Sequence, residues 1–510
     1  MRVKIGYIMI EFRRITVAIA AVLALAETAM CESAPRLLRT APDRNATTLN
    51  VGFERIGTLR TRTAAEVGPS NWTIDGAPLD RDFADFDKYK DYLPALGVAK
   101  IRILTGWAKC EKVKGRIDVA WLDRIVDWCK AHGIEPILEL SYGNPIYDGA
   151  GGAGLSDGIP NAPDGLAAWD AWVEFLAGHF KDRIREWAMW NEPDNRLKIN
   201  TPPMIAAFNV RSAKILRRYM PDCVLHGLSL AQNDAKVLED CVSAMGEDAK
   251  LFNTFIYHGY VPNPDSSYAM VEEQKKVIAR YAPDARLRQG ENGCAAEWLD
   301  RFALWGIPWS EYSQAKWDMR RMLGDLGHDV ESGIFCFVDI NYRPPTYPKD
   351  FSNRKGLLAI NAKDDVIRVR RAFYAVQNTV SVFDTRVKRV KEPGVSTHDR
   401  TVSLYEYRAK GGEPLFVFWD HGPVKYDRKD GSVALDRNAR PGDSFETRPG
   451  VLEWSGAPLK DPVWVDLFTG RVYAYPKDLQ VEHSCGITFF DVPIYDSPCI
   501  LTERTALDLM

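Results

Sequence analysis

From about residue 49 to 380 the chain alternates between short apolar or β-branched runs and longer stretches with apolar residues at helical spacing. This alternation constrains the fold more than any other feature of the sequence. Strand–helix–strand units of this length build a parallel sheet whose faces are covered by the helices. The strand-like runs fall at 49–59, 98–104, 134–140, 187–192, 223–230, 251–257, 286–291 and 333–340. Between them, Phe86, Tyr89, Leu93 and Leu96 recur at helical spacing and stop at Gly97. Trp121, Leu122, Ile125, Val126 and Cys129 form a second apolar face, and Leu166, Trp169, Val173, Leu176 and Phe180 a third. Further helices are expected near 203–219, 233–245, 267–281, 310–326 and 366–380. Eight such repeats predict an α/β fold, a (β/α)8 TIM barrel spanning 49–381.

The pattern changes after residue 382. The runs at 402–407, 415–419, 463–467 and 487–490 are short, apolar or alternating, and separated by Gly, Pro and Asp. They predict a C-terminal antiparallel β-sandwich domain over 382–510. At the other end, Arg2, Lys4, Arg13 and Arg14 precede an apolar run at 15–26, and Ala24-Leu25-Ala26 has the small-x-small form of a cleavage site. Residues 1–26 therefore read as a signal peptide, too short to span a bilayer comfortably, and the product as secreted or periplasmic with no membrane attachment after its removal. A net charge of −3 gives no basic footprint for nucleic acid. The nine cysteines include no CxxC pair, which removes zinc-ribbon and redox readings. Cys223 with Cys241, or Cys485 with Cys499, could pair after export, whereas Cys336 in an apolar run reads as a buried thiol.

Two strand-like runs end in a carboxylate. Arg185 to Asp194 runs from apolar residues into Asn191, Glu192 and Pro193, and Ala285 to Gly293 ends on Glu291. A buried parallel strand gains nothing from a terminal carboxylate, and burying one is costly. For one Glu alone, capping or ion pairing is the simpler reading. Two of them three β/α units apart would both stand at the C-terminal face of a barrel. Such a pair fits glycosidic-bond hydrolysis, with one carboxyl protonating the leaving oxygen and the other attacking the anomeric carbon. Asn191 is then placed to meet a sugar 2-hydroxyl. Arg102, inside a strand, needs a partner, and pairing with Glu291 would hold that group ionised. Tyr142 and Asn144 end the third run and could line the pocket, although Asn144-Pro145 is equally a structural turn. Glu139 could simply pair with a basic neighbour, and Glu297, in a more helical context, is the alternative to Glu291. No metal-ligand spacing or phosphate loop is present, so no cofactor is expected.

These residues carry a family resemblance. Trp190-Asn191-Glu192-Pro193 followed by a late-strand Glu resembles clan A of the retaining glycoside hydrolases, whose acid/base and nucleophile end strands 4 and 7. The resemblance gives Arg102 as the strand-2 arginine that contacts the nucleophile, and His258 with Tyr260 as the His-x-Tyr ending strand 6. Trp107 with Glu111 and Gly115 resembles the loop after strand 2 of family 39-type members (family 5-type enzymes share the clan). Two departures stand out. The clan often ends strand 8 on a tryptophan beneath the cleaved sugar, whereas this chain has Phe335 to Tyr342 without one, so Asp339 or Asn341 could supply a polar contact instead. The context Gln289-Gly290-Glu291-Asn292-Gly293 is also unusual for the nucleophile.

The resemblance implies Glu192 as acid/base and Glu291 as nucleophile. It also implies a β-linked xyloside, galactoside or glucoside within an oligosaccharide or polysaccharide as substrate. The loops at 143–165 and 341–355 suggest a walled pocket and exo action. Two rivals remain at this stage: a carbohydrate-binding barrel without turnover, and an inverting or lyase-type barrel enzyme whose carboxyl groups would stand farther apart.

Overall fold

The computed structural model describes residues 35–39, 47–344, 349–422 and 445–510. The expected signal peptide, residues 1–26, lies outside them. A first unit, up to Asp43, contributes one helical turn, Arg36–Arg39; the second runs from Arg44 to the end of the chain.

The second unit contains a closed barrel of eight parallel strands. In chain order these are β1 (Trp72–Asp75), β2 (Lys100–Leu104), β3 (Glu135–Glu139), β4 (Glu186–Ala188), β5 (Val224–Leu230), β6 (Thr254–Tyr257), β7 (Arg286–Asn292) and β8 (Glu331–Ile334). Each pairs in parallel with the next, and β8 closes on β1 through Trp72–Ser332 and Ile74–Ile334. The helices between them include Ala120–Ala131, Pro163–Phe180, Pro202–Tyr219, Ala235–Met245, Tyr268–Tyr281 and Glu311–Gly327.

The apolar spacing explains how the helices dock. In Ala120–Ala131 the buried residues are Leu122, Ile125, Val126 and Cys129, one face of the helix. In Pro163–Phe180 the buried set includes Trp169, Val173, Leu176 and Phe180. Each such side chain contributes roughly 1.5–3 kcal/mol on leaving water. Gly97 ends the helix Leu93–Leu96 at φ 84°, and a Cβ there would stand 2.7 Å from the Arg62 carbonyl oxygen, so only glycine fits.

After β8 the chain forms two small hairpins, Ile340–Tyr342 with Phe351–Asn353 and Leu358–Ile360 with Val366–Val369, before the helix Arg371–Val382. The region expected as one helix at 366–380 is thus a strand followed by a helix. Beyond it, a seven-stranded and a four-stranded antiparallel sheet pack face to face, with Phe416 of one against Trp454 and Phe489 of the other.

The run at 49–59 is corrected in one respect. Its strand, Arg55–Thr58, does not begin the barrel but pairs antiparallel with Arg471–Ala474 at the edge of the seven-stranded sheet. The barrel's first strand is Trp72–Asp75, buried along its whole length. The eight described cysteines are all free, seven of them buried, so neither candidate disulfide forms. No described helix is long and apolar enough to cross a membrane.

Candidate active site

The C-terminal ends of the barrel strands surround a cavity of about 440 Å³, and Arg102, Tyr142, Asn191, Glu192, Tyr260 and Glu291 all line it. Backbone geometry at the ends of β4 and β7 aims the two glutamates. Past β4 the chain reaches Glu192 at φ 49°, ψ 52°, a left-handed conformation that costs a non-glycine residue about 1–2 kcal/mol. Pro193 follows, disfavours the helical region for its predecessor, and opens the 3-10 turn Pro193–Arg196. The Glu192 amide donates to Ser229 of β5 at 2.9 Å, which fixes the turn to the barrel. The β7–β8 register slips between Gln289 and Asn292, so Glu291 sits in an irregularity that turns its side chain toward the cavity. Gly290 makes this possible, because a Cβ there would stand 2.3 Å from Ile256 Cγ2.

Glu291 is 9% exposed and fully engaged. Its Oε2 accepts from Arg102 Nη1 at 2.8 Å and its Oε1 from the Tyr260 hydroxyl at 2.8 Å. Burial pushes its pKa up, but the His258 and Arg102 charges and the Tyr260 hydrogen bond outweigh burial and hold the carboxyl below its ordinary value. Glu192 Oε1 lies 2.8 Å from His258 Nδ1, and its Oε2 accepts from Asn195 Nδ2 at 2.7 Å. His258 is fully buried; burial lowers its pKa, yet the two glutamates raise it above the ordinary histidine value. Its Nδ1 is also 3.8 Å from Glu291 Oε2, so the imidazole stands between the two carboxylates.

Arg102 is the hub. Its guanidinium donates to Asp75 at 2.5 Å and to Glu291, Glu139 and the Asn191 side-chain oxygen. Three carboxylates around one cation cannot all ionise cheaply in a buried site. Burial accordingly raises Asp75 to about 6 and raises Glu139, against the pull of Arg102. Asn191 is held at both ends of its amide, by Arg102 and by the Tyr142 hydroxyl, which accepts from Nδ2 at 2.7 Å, while its backbone amide donates to Ser141 Oγ at 2.8 Å. The Arg81 guanidinium lies over the Tyr142 ring, 4.9 Å from its centre.

Other sequence expectations fall elsewhere. Trp107 is fully buried, hydrogen-bonded to Glu111 Oε2 at 2.6 Å and stacked near Tyr147 and Trp172; it packs the loop after β2 and does not line the cavity. Asn144 takes the structural alternative, donating to the Glu111 carbonyl at 2.7 Å and accepting from the Ile146 amide in a turn. Glu297 pairs with Arg354 at 2.9 Å and lines a different surface hollow. Neither Asp339 nor Asn341 replaces the missing strand-8 tryptophan. Asp339 is buried in a two-pronged pair with Arg370 at 2.5 and 2.7 Å, and Asn341 binds Asp364 and the Asn361 carbonyl.

The cavity wall there is built instead by Phe335, Tyr342, Asn353 and Lys355, with Phe302 to Leu304 from the loop after β7. Asp75, at the end of β1, is a further wall residue that the sequence reading did not single out. The loops 143–165 and 341–355 reach the cavity through Leu155, Ser156, Tyr342 and Asn353.

Glu192, His258 and Glu291 each present one ligand atom within 4.8 Å of the others, a spacing that among the described residues could hold a metal ion. Both Glu291 oxygens already accept hydrogen bonds, and one of the donors is a guanidinium whose charge opposes a divalent cation at the same spot. The donor set therefore disfavours a divalent cation at this spot.

No family model matches the sequence, and no curated protein does. Solved structures do match. A family 39 glycoside hydrolase from the gut symbiont Bacteroides cellulosilyticus WH2 aligns at TM-score 0.60 and 15% identity, over 88% of this chain and 83% of that one. A monomeric beta-xylosidase from Caulobacter crescentus CB15 aligns at 0.55 and 15% identity, over 88% of this chain and 97% of that one. A GH30 endoxylanase from Clostridium papyrosolvens C71 aligns at 0.50 and 12% identity, over 89% and 98%. At these identities the shared property is the fold.

Proposed function

We propose that this chain is a retaining glycoside hydrolase, with Glu291 as nucleophile and Glu192 as acid/base, acting on a β-linked glycan. The observation that carries the reading is the spacing of the two carboxylates. An oxygen of Glu192 and one of Glu291 lie within 4.8 Å of each other. Retaining enzymes hold their carboxyl groups about 5–5.5 Å apart and inverting enzymes about 6.5–9.5 Å, which leaves room for a water between them. The likeness in fold to xylosidase and xylanase structures supports the same class of chemistry.

In the first step the ionised Glu291 attacks the anomeric carbon while its bond to the leaving oxygen breaks, and Glu192 delivers a proton to that oxygen. Arg102 and Tyr260 hold one Glu291 oxygen each, so the attacking group is oriented before the sugar arrives. In the second step Glu192 takes a proton from water, the water oxygen bonds to the anomeric carbon, and the bond to Glu291 breaks. Asn191, fixed by Arg102 and Tyr142, is placed to bind the 2-hydroxyl, where hydrogen bonds strengthen in the transition state. Walls from the loops after β3 and β8 close the cavity around a chain end, which favours exo action.

A panel of activated aryl β-glycosides, followed by proton NMR, tests the proposal. The first-formed sugar must keep the β configuration, and Glu192→Ala must recover turnover of the aryl substrate with added azide, giving a β-glycosyl azide. An α product formed first contradicts retention.

A further inference from the structure

The hydrolytic scheme leaves one charged group of the cavity wall without a role. Lys355 follows the strand Phe351–Asn353 and is 2% exposed. Its Nζ donates to the Ala303 carbonyl at 2.6 Å and lies 4.3 Å from the centre of the Tyr260 ring. Lys355, Ala303 and Tyr260 all line the cavity, and among the described residues no carboxylate comes within ion-pair distance of this ammonium. One carbonyl and one aromatic face leave the third N–H donor of the ammonium for the cavity. Beside it, Asn353 is 2% exposed and lines the same wall.

The two oxygens of Glu291 orient this wall relative to a sugar. Oε2 faces Arg102, which also holds Asn191, so that side belongs to C2 and its hydroxyl. Oε1 faces Tyr260, against whose ring the Lys355 ammonium rests, so Lys355 stands on the side of the ring oxygen and C5. A neutral sugar sealed into this cavity would leave a buried ammonium with no ion-pair partner and only the more distant Glu291 and Asp318 to offset its desolvation, which is costly. A xyloside, with no substituent on C5, would not reach it at all.

Resting on the assignment of Glu192 and Glu291 to the hydrolytic pair, we infer that the cleaved sugar carries an anionic group on C5. It would be the carboxylate of a hexuronic acid, received by the Lys355 ammonium. Burial lowers the Lys355 pKa to about 8, against the pull of Glu291 and Asp318, and still leaves the group mostly protonated at neutral pH.

The test compares aryl β-D-glucuronide and β-D-galacturonide with the matching glucoside, galactoside and xyloside, plus a 6-O-sulfated glucoside. The compared proteins are wild type, Lys355→Met and Lys355→Arg. The expected wild-type kcat/KM favours the uronides, and Lys355→Met lowers the uronide-to-neutral ratio by roughly 10- to 100-fold, the contribution of a hydrogen bond to a charged group. Lys355→Arg keeps part of that ratio. A ratio is insensitive to the folded fraction, so a poorly folding variant does not obscure the result. The sulfated arm separates recognition of a carboxylate from recognition of any anion on C6, and a sulfate preferred over the uronides overturns the uronide assignment.

Turnover of neutral glycosides at least equal to that of uronides, or a ratio unmoved by Lys355→Met, overturns the inference while leaving the hydrolase reading intact. Should no glycoside be cleaved, the hydrolase reading fails separately. Calorimetry with free glucuronate against glucose then decides the site: binding of glucuronate that Lys355→Met abolishes supports it, and equal or absent binding overturns it.

Discussion

Replacing Arg102 by methionine is the sharpest perturbation of the site. The guanidinium donates to Asp75, Glu139, Asn191 and Glu291, none more than 9% exposed. Removing one partner of a buried charge network costs about 3–5 kcal/mol. The effect on Glu291 can be set separately. At about 4 Å and an effective dielectric near 20, a unit charge is worth roughly 4 kcal/mol, about three powers of ten in an ionisation constant. Glu291 now sits below the ordinary carboxylate pKa because Arg102 and His258 outweigh burial. Without Arg102 burial dominates, and the carboxyl is protonated through the range where the enzyme should work.

The assay is the pH dependence of kcat/KM on whichever aryl glycoside is cleaved best. Arg102→Met should move the acidic limb upward and lower the rate at pH 5–6 by on the order of 10²–10³. Arg102→Lys keeps the charge but loses the fork, so the limb should return part of the way. An acidic limb unmoved by Arg102→Met, with a rate loss under tenfold, would refute the role given to this residue.

Three further outcomes follow from the same geometry. Tyr260→Phe removes the hydrogen bond to Glu291 Oε1 and should lower kcat/KM by roughly 10- to 150-fold, with an unchanged circular dichroism spectrum. Trp107→Phe should leave KM within about twofold while lowering the denaturation midpoint, since the side chain packs a loop instead of touching sugar; a large KM change would restore it to the binding site. Lys355 has a folded pKa of about 8, below the unfolded value near 10.5. The folded state therefore binds fewer protons between these values and gains stability as pH rises from 8 to 10.5, whereas below 8 the buried charge costs up to about 3 kcal/mol. Lys355→Met should thus stabilise the fold at pH 7 and lose that advantage near pH 10.5, read from urea midpoints at both pH values; destabilisation at pH 7 would mark the lysine as structural.

The barrel was legible because its signal is periodic: an apolar face every three or four residues survives whatever the tertiary context. That Glu192 and Glu291 meet in one cavity was legible for a different reason, since a carboxylate ending a buried strand conflicts with stability. Their partners Arg102, Asn191, Tyr142, His258 and Tyr260 came together as expected, each through a hydrogen bond to another site residue.

What local sequence does not encode is partnership at a distance. Arg55–Thr58 has the composition of a strand, and nothing in it says that its partner is Arg471–Ala474. The four-residue strand Trp72–Asp75 is too short to declare itself, which hid Asp75. Trp107 beside a strand end reads equally as sugar platform or as packing, and only the neighbouring Trp172 and Tyr147 decide it. Asp339 invites a role in the pocket until Arg370, from the helix-side segment that follows the hairpins, claims both of its oxygens. Lys355 sits in Arg354-Lys355-Gly356, a charged turn that looks solvated, yet this link between the two hairpins folds it against Tyr260.

The central claim, that Glu291 is the nucleophile of a double displacement, is tested most directly by trapping. A 2-deoxy-2-fluoro glycoside with a good leaving group, matched to the best aryl substrate, should inactivate the protein with time. Intact mass should rise by one fluoroglycosyl unit, and peptide mapping should place the label on Glu291. A label on Glu192, Glu297 or another carboxylate, or steady turnover with no labelled protein, would contradict the account.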